Sequence, residues 1–273
     1  MSKSLSRTIR KLTFVNPPAS AAAEREPRGA RRKRETRSRL LEAALTLMAE
    51  RGMEGVAINE ITEAADVGFG SFYNHFESKE AIYAALVDAV FEDFADALDR
   101  AVADIEDPAE VIAIATRHTL LRARREPIWG QFLIRESISV RALHRGLGLR
   151  LLRDVQAGIA AKRFKVADPL MSFITVSGTV LSSIAAELQF AFPLGPRAAT
   201  MKELGFNSDH LSERAATSVL QTLGLSRAEA EEIARRPLAA ADWHSGTREP
   251  DHRTPTAATS TSSRPRRGKA SRR

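Results

Sequence analysis

A short segment, residues 69–75, carries side chains that suit contact with nucleic-acid bases. The amide of Asn74 can pair with adenine, and the ring of Phe69 can pack on a thymine methyl group. Gly70 has no side chain, so a helix could bring its backbone close to a bound partner there. These residue types indicate recognition by surface contact, and they make the segment the first candidate site.

No arrangement of catalytic groups is recognisable in the sequence. The six histidines form neither a His-Glu-x-x-His motif nor any other metal-ligand spacing, and the chain has no nucleophile elbow and no Walker-type phosphate loop. The absence of cysteine excludes disulfide scaffolds, thiolate metal sites and cysteine nucleophiles. We therefore expect no enzymatic activity, no metal and no cofactor.

The net charge of +7 belongs to the two ends of the chain. Residues 1–35 carry ten Lys/Arg and three Glu, whereas residues 244–273 carry eight Lys/Arg and two acids, so the body between them is net acidic. Both ends are low-complexity mixtures of Pro, Ser, Thr, Arg and Ala without a repeating apolar face. We predict a disordered basic arm over residues 1–32 and a disordered basic tail over residues 244–273.

Residues 56–75 have the pattern of two short helices joined by a tight turn. The first helix is predicted from Ile58 to Ala65 and the second from Phe69 to Asn74. In such a helix-turn-helix motif, the second helix offers its N-terminal side chains to the major groove of DNA.

The packing of this motif follows from its residue types. Ala64 and Ala65 are small enough for close helix crossing, Val67 would fill the core beneath the turn, and Phe72 and Phe76 would anchor the second helix from behind. The positions left to face outward are Phe69, Gly70, Ser71, Tyr73 and Asn74.

The stretch from Ala64 to Glu80 resembles the TetR family of bacterial transcriptional regulators, whose pattern is A-G-V-S-x-G-[ST]-x-Y-x-[HY]-F-x-[SN]-K-x-x-L. The resemblance extends over about fifty residues, from Arg37 to Leu86. Three positions depart from the pattern: Asp66 replaces the usual glycine, Gly68 the usual capping serine, and Ala57 a common capping Thr or Ser. Each lost capping hydroxyl would cost about 1 kcal/mol of local helix stability.

The resemblance implies a role for each outward side chain. The base-edge contacts would come from Phe69, Gly70 and Asn74. The phosphate contacts would come from Ser71, Tyr73, His75 and Lys79. For Tyr73 and His75, the alternative is a place in the core.

A basic cluster compensates for the acidity of this region. Residues 36–83 carry four Lys/Arg and eight acids, which is a poor electrostatic footprint for DNA. Just before the first predicted helix lie Arg31, Arg32, Lys33 and Arg34. We expect this cluster to reach phosphates or the minor groove, and plain solvation is the alternative.

The rest of the body also has the periodicity of helices. Ser78 is predicted to cap a long helix whose apolar residues recur every four positions from Ile82 to Val102, so that the stripe winds around the helix. Further helix starts are signalled at Asp107-Pro108, Asp168-Pro169, Ser208-Asp209 and Ser226-Arg227. The fold class is therefore all-α.

The C-terminal half is expected to contain a dimer interface, as the resemblance implies. Gly178 and Ser182 are small and four residues apart on a nearly uncharged helix, and a second helix, predicted from about Ser208 to Leu223, has one apolar side. Two such helices from each subunit would build a four-helix interface. Its predicted residues are Ser177, Gly178, Leu181, Ser182, Leu211, Ala215, Val219 and Leu223.

The same half is expected to enclose a small apolar effector. Candidate lining residues are Trp129, Phe132, Leu133, Phe164 and Phe173, and plain core packing is the alternative. Arg135 and Glu136 on the same segment are either polar anchors of the pocket or surface residues.

These expectations define four regions: the arm 1–32, a helix-turn-helix domain 33–93 (motif 56–75), a helical regulatory and dimerisation domain 94–243 joined to it by the long helix, and the tail 244–273. We expect a cytoplasmic, homodimeric repressor that a small molecule releases from a palindromic operator in double-stranded DNA.

Membrane insertion is not expected, because six Ser and Thr residues and then Glu187 interrupt the apolar stretch after Pro169. The alternative is a helical carrier or enzyme with a vestigial helix-turn-helix.

Overall fold

The computed structural model describes residues 27–137, 146–191, 203 and 207–238. Every regular element in these ranges is a helix, which confirms the predicted fold class. Residues 1–26 and 239–273 lie outside the described ranges, so the disorder expected there stays a prediction.

The N-terminal part contains four helices: α1 Arg28–Arg51, α2 Ile58–Ala64, α3 Phe69–Tyr73 and α4 Lys79–Val87. The ends of α2 and α3 agree with the prediction to within one residue. α1 stops at Gly52, whose φ of 76° is open to glycine and rare for other residues. Ser78 caps α4 by accepting a hydrogen bond from the Ala81 N–H.

The start of α1 differs from the prediction. The helix begins at Arg28, so the cluster Arg31–Arg34 lies in its first two turns, and the prediction of disorder is wrong for residues 28–32. Arg, Lys, Glu and Ala are strong helix formers. They prolong a helix that is already anchored in the core from Leu40 onward, although they have no apolar face of their own.

The long helix after Ser78 contains one wider turn. α4 passes through a π-helical turn, Asp88–Glu92, into α5, Asp93–Ala101. An apolar residue every fourth position drifts around a regular α-helix by about 40° per step. The wider turn takes up part of this drift. The stripe therefore winds less than predicted. Ile82, Leu86, Val90, Phe94 and Leu98 are buried, whereas Val102, just past the end of α5, is half-buried.

The C-terminal part contains α6 Pro108–Arg125, α7 Pro127–Ser137, α8 Gly146–Ala160, α9 Pro169–Ala191, α10 Leu211–Thr222 and α11 Arg227–Arg235. The predicted caps are confirmed at Asp107 and Ser226, which accept hydrogen bonds from the first turns of α6 and α11. The predicted start at Ser208-Asp209 is wrong. α10 begins at Leu211, because His210 adopts a left-handed conformation and the side chain of Asn207 accepts a hydrogen bond from the Asp209 N–H.

Two apolar cores hold these helices together. The first joins α1–α4 to α5, α7 and α9 through residues such as Leu40, Ile82, Phe94 and Trp129. The second lies among α6, α8, α10 and α11. Because the first core continues across residue 93, the predicted domain boundary does not coincide with a break in packing.

Candidate nucleic-acid interface and ligand cavity

The outer face of α3 is aromatic and open to solvent. Phe69 and Tyr73 are 54% and 51% exposed, and their rings meet edge to face with centroids 5.6 Å apart. On the inner face, Phe72 and Phe76 are buried, as predicted. The helix therefore presents two large rings to solvent while two others fix it to the core.

The smaller residues of the motif divide in the same way. Gly70 and Asn74 are exposed and Ser71 is half-buried. Ala65 is buried as predicted, but Ala64 is exposed and does not serve the helix crossing. Val67 is half-buried and packs against the first core.

The turn between α2 and α3 depends on Asp66. This residue has a φ of 52°, the left-handed conformation that explains why glycine is usual at the position. The guanidinium of Arg39 donates to the Asp66 carbonyl at 2.7 Å and to its carboxylate at 3.0 Å. α1 thus holds the turn in place.

Ala57 has no hydroxyl to cap the first turn of α2, but the reciprocal hydrogen bond of a capping box is present. The carboxylate of Glu60 accepts a hydrogen bond from the Ala57 N–H at 2.9 Å and another from Arg51 at 2.8 Å. These two hydrogen bonds lower the pKa of Glu60. At Gly68 no side chain contributes, and the Ser71 N–H bonds to the Gly68 carbonyl.

The N-terminal turns of α1 lie beside the end of α3. Burial, together with the nearby charges of Lys33 and Arg37, lowers the pKa of His75. The guanidinium of Arg37 stands 5.2 Å from the centroid of the Phe76 ring. The basic start of α1 therefore adjoins the face on which Tyr73 and Asn74 are exposed.

The basic cluster itself is exposed along its whole length, from Arg31 to Arg34. Arg31 forms an ion pair with Glu35 at 3.4 Å, which is open to solvent and easily exchanged for another anion. Lys79 is half-buried at the first position of α4.

A cavity of about 150 Å³ lies among α5, α6, α8 and α9 and reaches the end of α7. Of the predicted lining residues, Leu133 and Phe173 line it. The prediction is wrong for Trp129, Phe132 and Phe164, for which the core alternative is right. Trp129 packs on Phe94 and Arg122, and the Phe164 ring occupies the space that a side chain at Gly158 would need.

The cavity has one charged wall that the sequence analysis missed. Arg150 bonds to Glu92, Asp96 and Asp99, while Arg153 bonds to Asp99 and Asp154. Of these, Asp99, Arg150 and Asp154 line the cavity. The signal in the sequence is a group of charges, at positions 150, 153 and 154, within a helix that is otherwise uncharged.

Burial raises the pKa of the two carboxylates of this wall, whereas hydrogen bonds from arginine lower it. Burial raises the pKa of Asp154 despite its hydrogen bond from Arg153. Burial also acts on Asp99, but hydrogen bonds from Arg153 and Arg150 outweigh it and lower the pKa of Asp99. The wall thus offers both a strongly acidic carboxylate and a more easily protonated one.

The predicted dimer residues fall into three groups. Gly178 and Ser182 are exposed on α9, as an interface requires. Ser177 and Leu181 line the cavity. On α10, Leu211 is half-buried, whereas the prediction is wrong for Ala215, Val219 and Leu223, which are buried within their own subunit because α10 packs against α6, α9 and α11.

One side of the N-terminal half of α9 is apolar and exposed to solvent. Leu170, Met171 and Ile174 are 66%, 52% and 49% exposed. Among the described helices, α9 has the length and composition to cross a membrane. It nevertheless packs against α6, α7 and α10, so only one side of it faces outward.

Comparisons with known proteins identify the two parts of the chain. Residues 40–86 match the family described as bacterial regulatory proteins, tetR family, and residues 107–236 match the tetracyclin repressor-like C-terminal domain. The repressor DhaR of Mycobacterium sp. (strain GP1) is 36% identical over 104 residues, which are 38% of this chain and 50% of DhaR. The repressor KstR2 of Rhodococcus jostii (strain RHA1) is 42% identical over 62 residues, 23% of this chain and 28% of KstR2. The chain thus spans half or less of the length of these curated relatives.

Solved structures extend the likeness to most of the chain. RolR in complex with resorcinol is 34% identical, with 78% of this chain and 100% of that chain covered and a TM-score of 0.54. A transcription regulator from Shewanella sp. PV-4 is 20% identical with a TM-score of 0.54, over 70% of this chain and 99% of that one, and shows the shared fold alone.

Proposed function

Because the chain belongs to the TetR family of bacterial transcriptional regulators, we propose that it is a homodimeric repressor that a small effector releases from its operator. In this proposal the two α3 helices of a dimer enter successive major grooves about 34–36 Å apart, so the operator is a near-palindrome. The protein acts in the bacterial cytoplasm, where its DNA lies.

The exposed face of α3 carries the DNA-binding half of the proposal. Phe69, Gly70 and Asn74 contact base edges, and their exposure supports this role. The phosphate contacts come from Ser71, Tyr73, His75 and Lys79. His75 would donate a ring N–H to a phosphate oxygen.

Charge for DNA binding comes from α1. The cluster of Arg31, Arg32, Lys33 and Arg34 is exposed, and the charge of its member Lys33 acts on His75 just after α3. We assign it to the phosphates that flank the major-groove contact, where each neutralised phosphate adds to the salt dependence of binding.

The proposed dimer face lies on α9. Its exposed apolar residues Leu170, Met171 and Ile174 continue into the small residues Gly178 and Ser182 at four-residue steps. Small residues allow two helices to approach closely, and an exposed apolar strip of this kind is typical of an obligate interface.

The effector is proposed to be a single aromatic ring with hydroxyl groups. A cavity of about 150 Å³ is the size that accommodates benzene in a protein core. Its apolar lining suits the ring, and Asp99, Arg150 and Asp154 supply acceptors and donors for hydroxyl groups. The resorcinol complex of RolR, 34% identical to this chain, supports the same chemistry. This refines the apolar effector expected from the sequence.

The single observation that carries the proposal is the pair of half-exposed rings, Phe69 and Tyr73, on a helix whose inner rings are buried. The test is selection of bound sequences from a random DNA pool, followed by release with resorcinol. Enrichment of one twofold-symmetric site and release by resorcinol are expected. If no DNA sequence is enriched, the proposal of a DNA-binding regulator is wrong and a helical carrier is favoured. If a site is enriched but resorcinol does not bind, only the proposed class of effector is wrong.

A further inference from the structure

A second cavity, of about 310 Å³, lies where the last turns of α6 and α9 meet the start of α10. It shares no lining residue with the cavity proposed for the effector. Pockets that bind small molecules begin at about 300 Å³, so this cavity has room for a small metabolite. The proposed function assigns no role to it.

One side of this second cavity is lined by a buried acid, Glu187 of α9. Glu187 is only 5% exposed, and burial raises the pKa of its carboxyl group. Among the residues that the structure describes, none donates a hydrogen bond to this carboxylate. Because a buried carboxylate without a partner has lost its hydration, a cationic group in the cavity would compensate the loss and stabilise the ionised form.

The opposite charge in the cavity is that of Arg124 on α6, which is exposed. Its charge lowers the pKa of Glu187 and so opposes the effect of burial. The two side chains nevertheless form neither a hydrogen bond nor an ion pair with each other. The guanidinium therefore keeps its N–H donors for an anion, and Glu187 keeps its acceptors for a cation.

The remaining walls of the second cavity add negative charge and apolar surface. Asp209 contributes a further carboxylate, whereas Glu213 is already paired with Arg117 at 3.5 Å. Leu121 and Leu211 line the cavity with half-buried apolar side chains. A ligand that fits these walls carries a cation, an anion and a short apolar group.

We propose that the second cavity binds an α-amino acid with an apolar side chain, whose ammonium group pairs with Glu187 and whose carboxylate pairs with Arg124. The side chain of the ligand then packs against Leu121 and Leu211. A zwitterion of this kind supplies the partner that each of the two charged groups lacks. The site is separate from the effector cavity, so it stands whether or not the effector is a hydroxylated aromatic ring.

The test uses L-leucine as the probe, with calorimetry on the full-length protein at pH 7 in the absence of DNA. Two analogues each lack one charge: leucinamide has no carboxylate, and 4-methylpentanoate has no ammonium group. We expect leucine to bind once per chain and each analogue to bind at least about tenfold more weakly. Loss of the ammonium group should cost more, because carboxylates outnumber arginines among the lining residues.

Two variants locate the bound leucine. Arg124→Met should weaken leucine binding by about tenfold or more and leave leucinamide binding unchanged, because the amide has no charge to lose. Its matched control is Arg125→Met, at the next exposed position of α6 and outside the cavity lining. Glu187→Gln keeps the shape of the side chain and should also weaken leucine binding, with Glu54→Gln at an exposed position as its control.

Three results would overturn the proposal. The first is a protein that binds no leucine, and the second is leucinamide or 4-methylpentanoate binding as tightly as leucine. The third is equal leucine affinity in Arg124→Met and Arg125→Met, which decides the matter even if Glu187→Gln does not fold. Resorcinol should not compete with leucine, since the two cavities share no lining residue, and competition would place leucine in the effector cavity instead.

Discussion

At the scale of single residues, α3 separates the side chains that hold it from those that face outward. Tyr73 lies between the two groups, because its ring meets the exposed Phe69 on one side and the buried Phe72, at 5.4 Å, on the other. The outward ring is therefore held in one orientation before any partner arrives. Such preorganisation reduces the entropy that binding must otherwise overcome.

The assigned DNA contacts make separable predictions. Asn74→Ala should cost about 1–3 kcal/mol of discrimination at one base pair of the half-site. Lys79→Met should weaken binding to all sequences alike and reduce the slope of log affinity against log salt concentration by about one per subunit. Anisotropy titrations on the selected operator and its single-base variants, at several salt concentrations, check both.

The matched control for these variants is Lys165→Met, which removes an equal charge from the exposed loop between α8 and α9. For this control, the slope of log affinity against log salt concentration should equal that of the parent. If Asn74→Ala keeps the parent's base preference, the assignment of the reading face is wrong.

The left-handed residue of the turn gives a prediction about stability. Asp66→Ala should be less stable than Asp66→Gly by about 1 kcal/mol, because both lose the carboxylate but only alanine keeps a Cβ at a φ of 52°. Urea unfolding of the two variants measures the difference. Equal unfolding free energies would show that the turn relaxes freely and that Arg39 does not fix its conformation.

At the scale of elements, the π-helical turn gathers acidic side chains where α4 continues into α5. Asp93 follows the turn directly, and burial together with Asp96 and Asp88 raises its pKa to about 6. Arg122 and Arg100 act in the opposite direction without reversing the effect. The acidic turn is therefore a source of instability at neutral pH.

The sign of this effect can be tested with Asp93→Asn. Since the folded pKa lies above the unfolded value, protonated Asp93 favours folding below pH 4, and this contribution is lost as the pH rises through about 6. The substitution should raise the unfolding free energy by about 1 kcal/mol at pH 7.5, after allowance for partial exposure, and by almost nothing at pH 4. Asp104→Asn at an exposed position is the control, and an equal gain from it would refute the assignment.

At the scale of the whole molecule, the two cores and the exposed side of α9 define the expected dimer. Ile174→Glu would place a charge in the centre of the proposed interface, where its desolvation is not compensated. We expect the variant to be monomeric at concentrations at which the parent is dimeric, and operator affinity to fall because only one half-site is then bound per molecule. Analytical ultracentrifugation and anisotropy measure the two effects.

The control for this substitution is Ala228→Glu, an exposed position in the first turn of α11 where an acidic residue suits the helix dipole. It should leave both the oligomeric state and the affinity for DNA unchanged. If the parent protein is itself monomeric, the proposed homodimer is wrong.

Sequence periodicity and local chemistry determined the helices, the caps at Ser78, Asp107 and Ser226, and the helix-turn-helix motif with its buried Phe72 and Phe76. These features depend on neighbours within a few residues, so the chain alone encodes them. The extension of α1 to Arg28 was missed, because a charged helix without an apolar face gives no periodic signal.

The tertiary structure alone decided which apolar residues face the cavity and which fill the core. Trp129, Phe173, Val219 and Leu133 have similar hydrophobicity, and only the packing of distant helices separates lining from core. The same holds for the charged wall at Arg150 and for the contact of Arg135 with α1, whose partners lie more than fifty residues away in the chain. Contacts of this range depend on how the helices are arranged in space, and local sequence patterns carry no record of that arrangement.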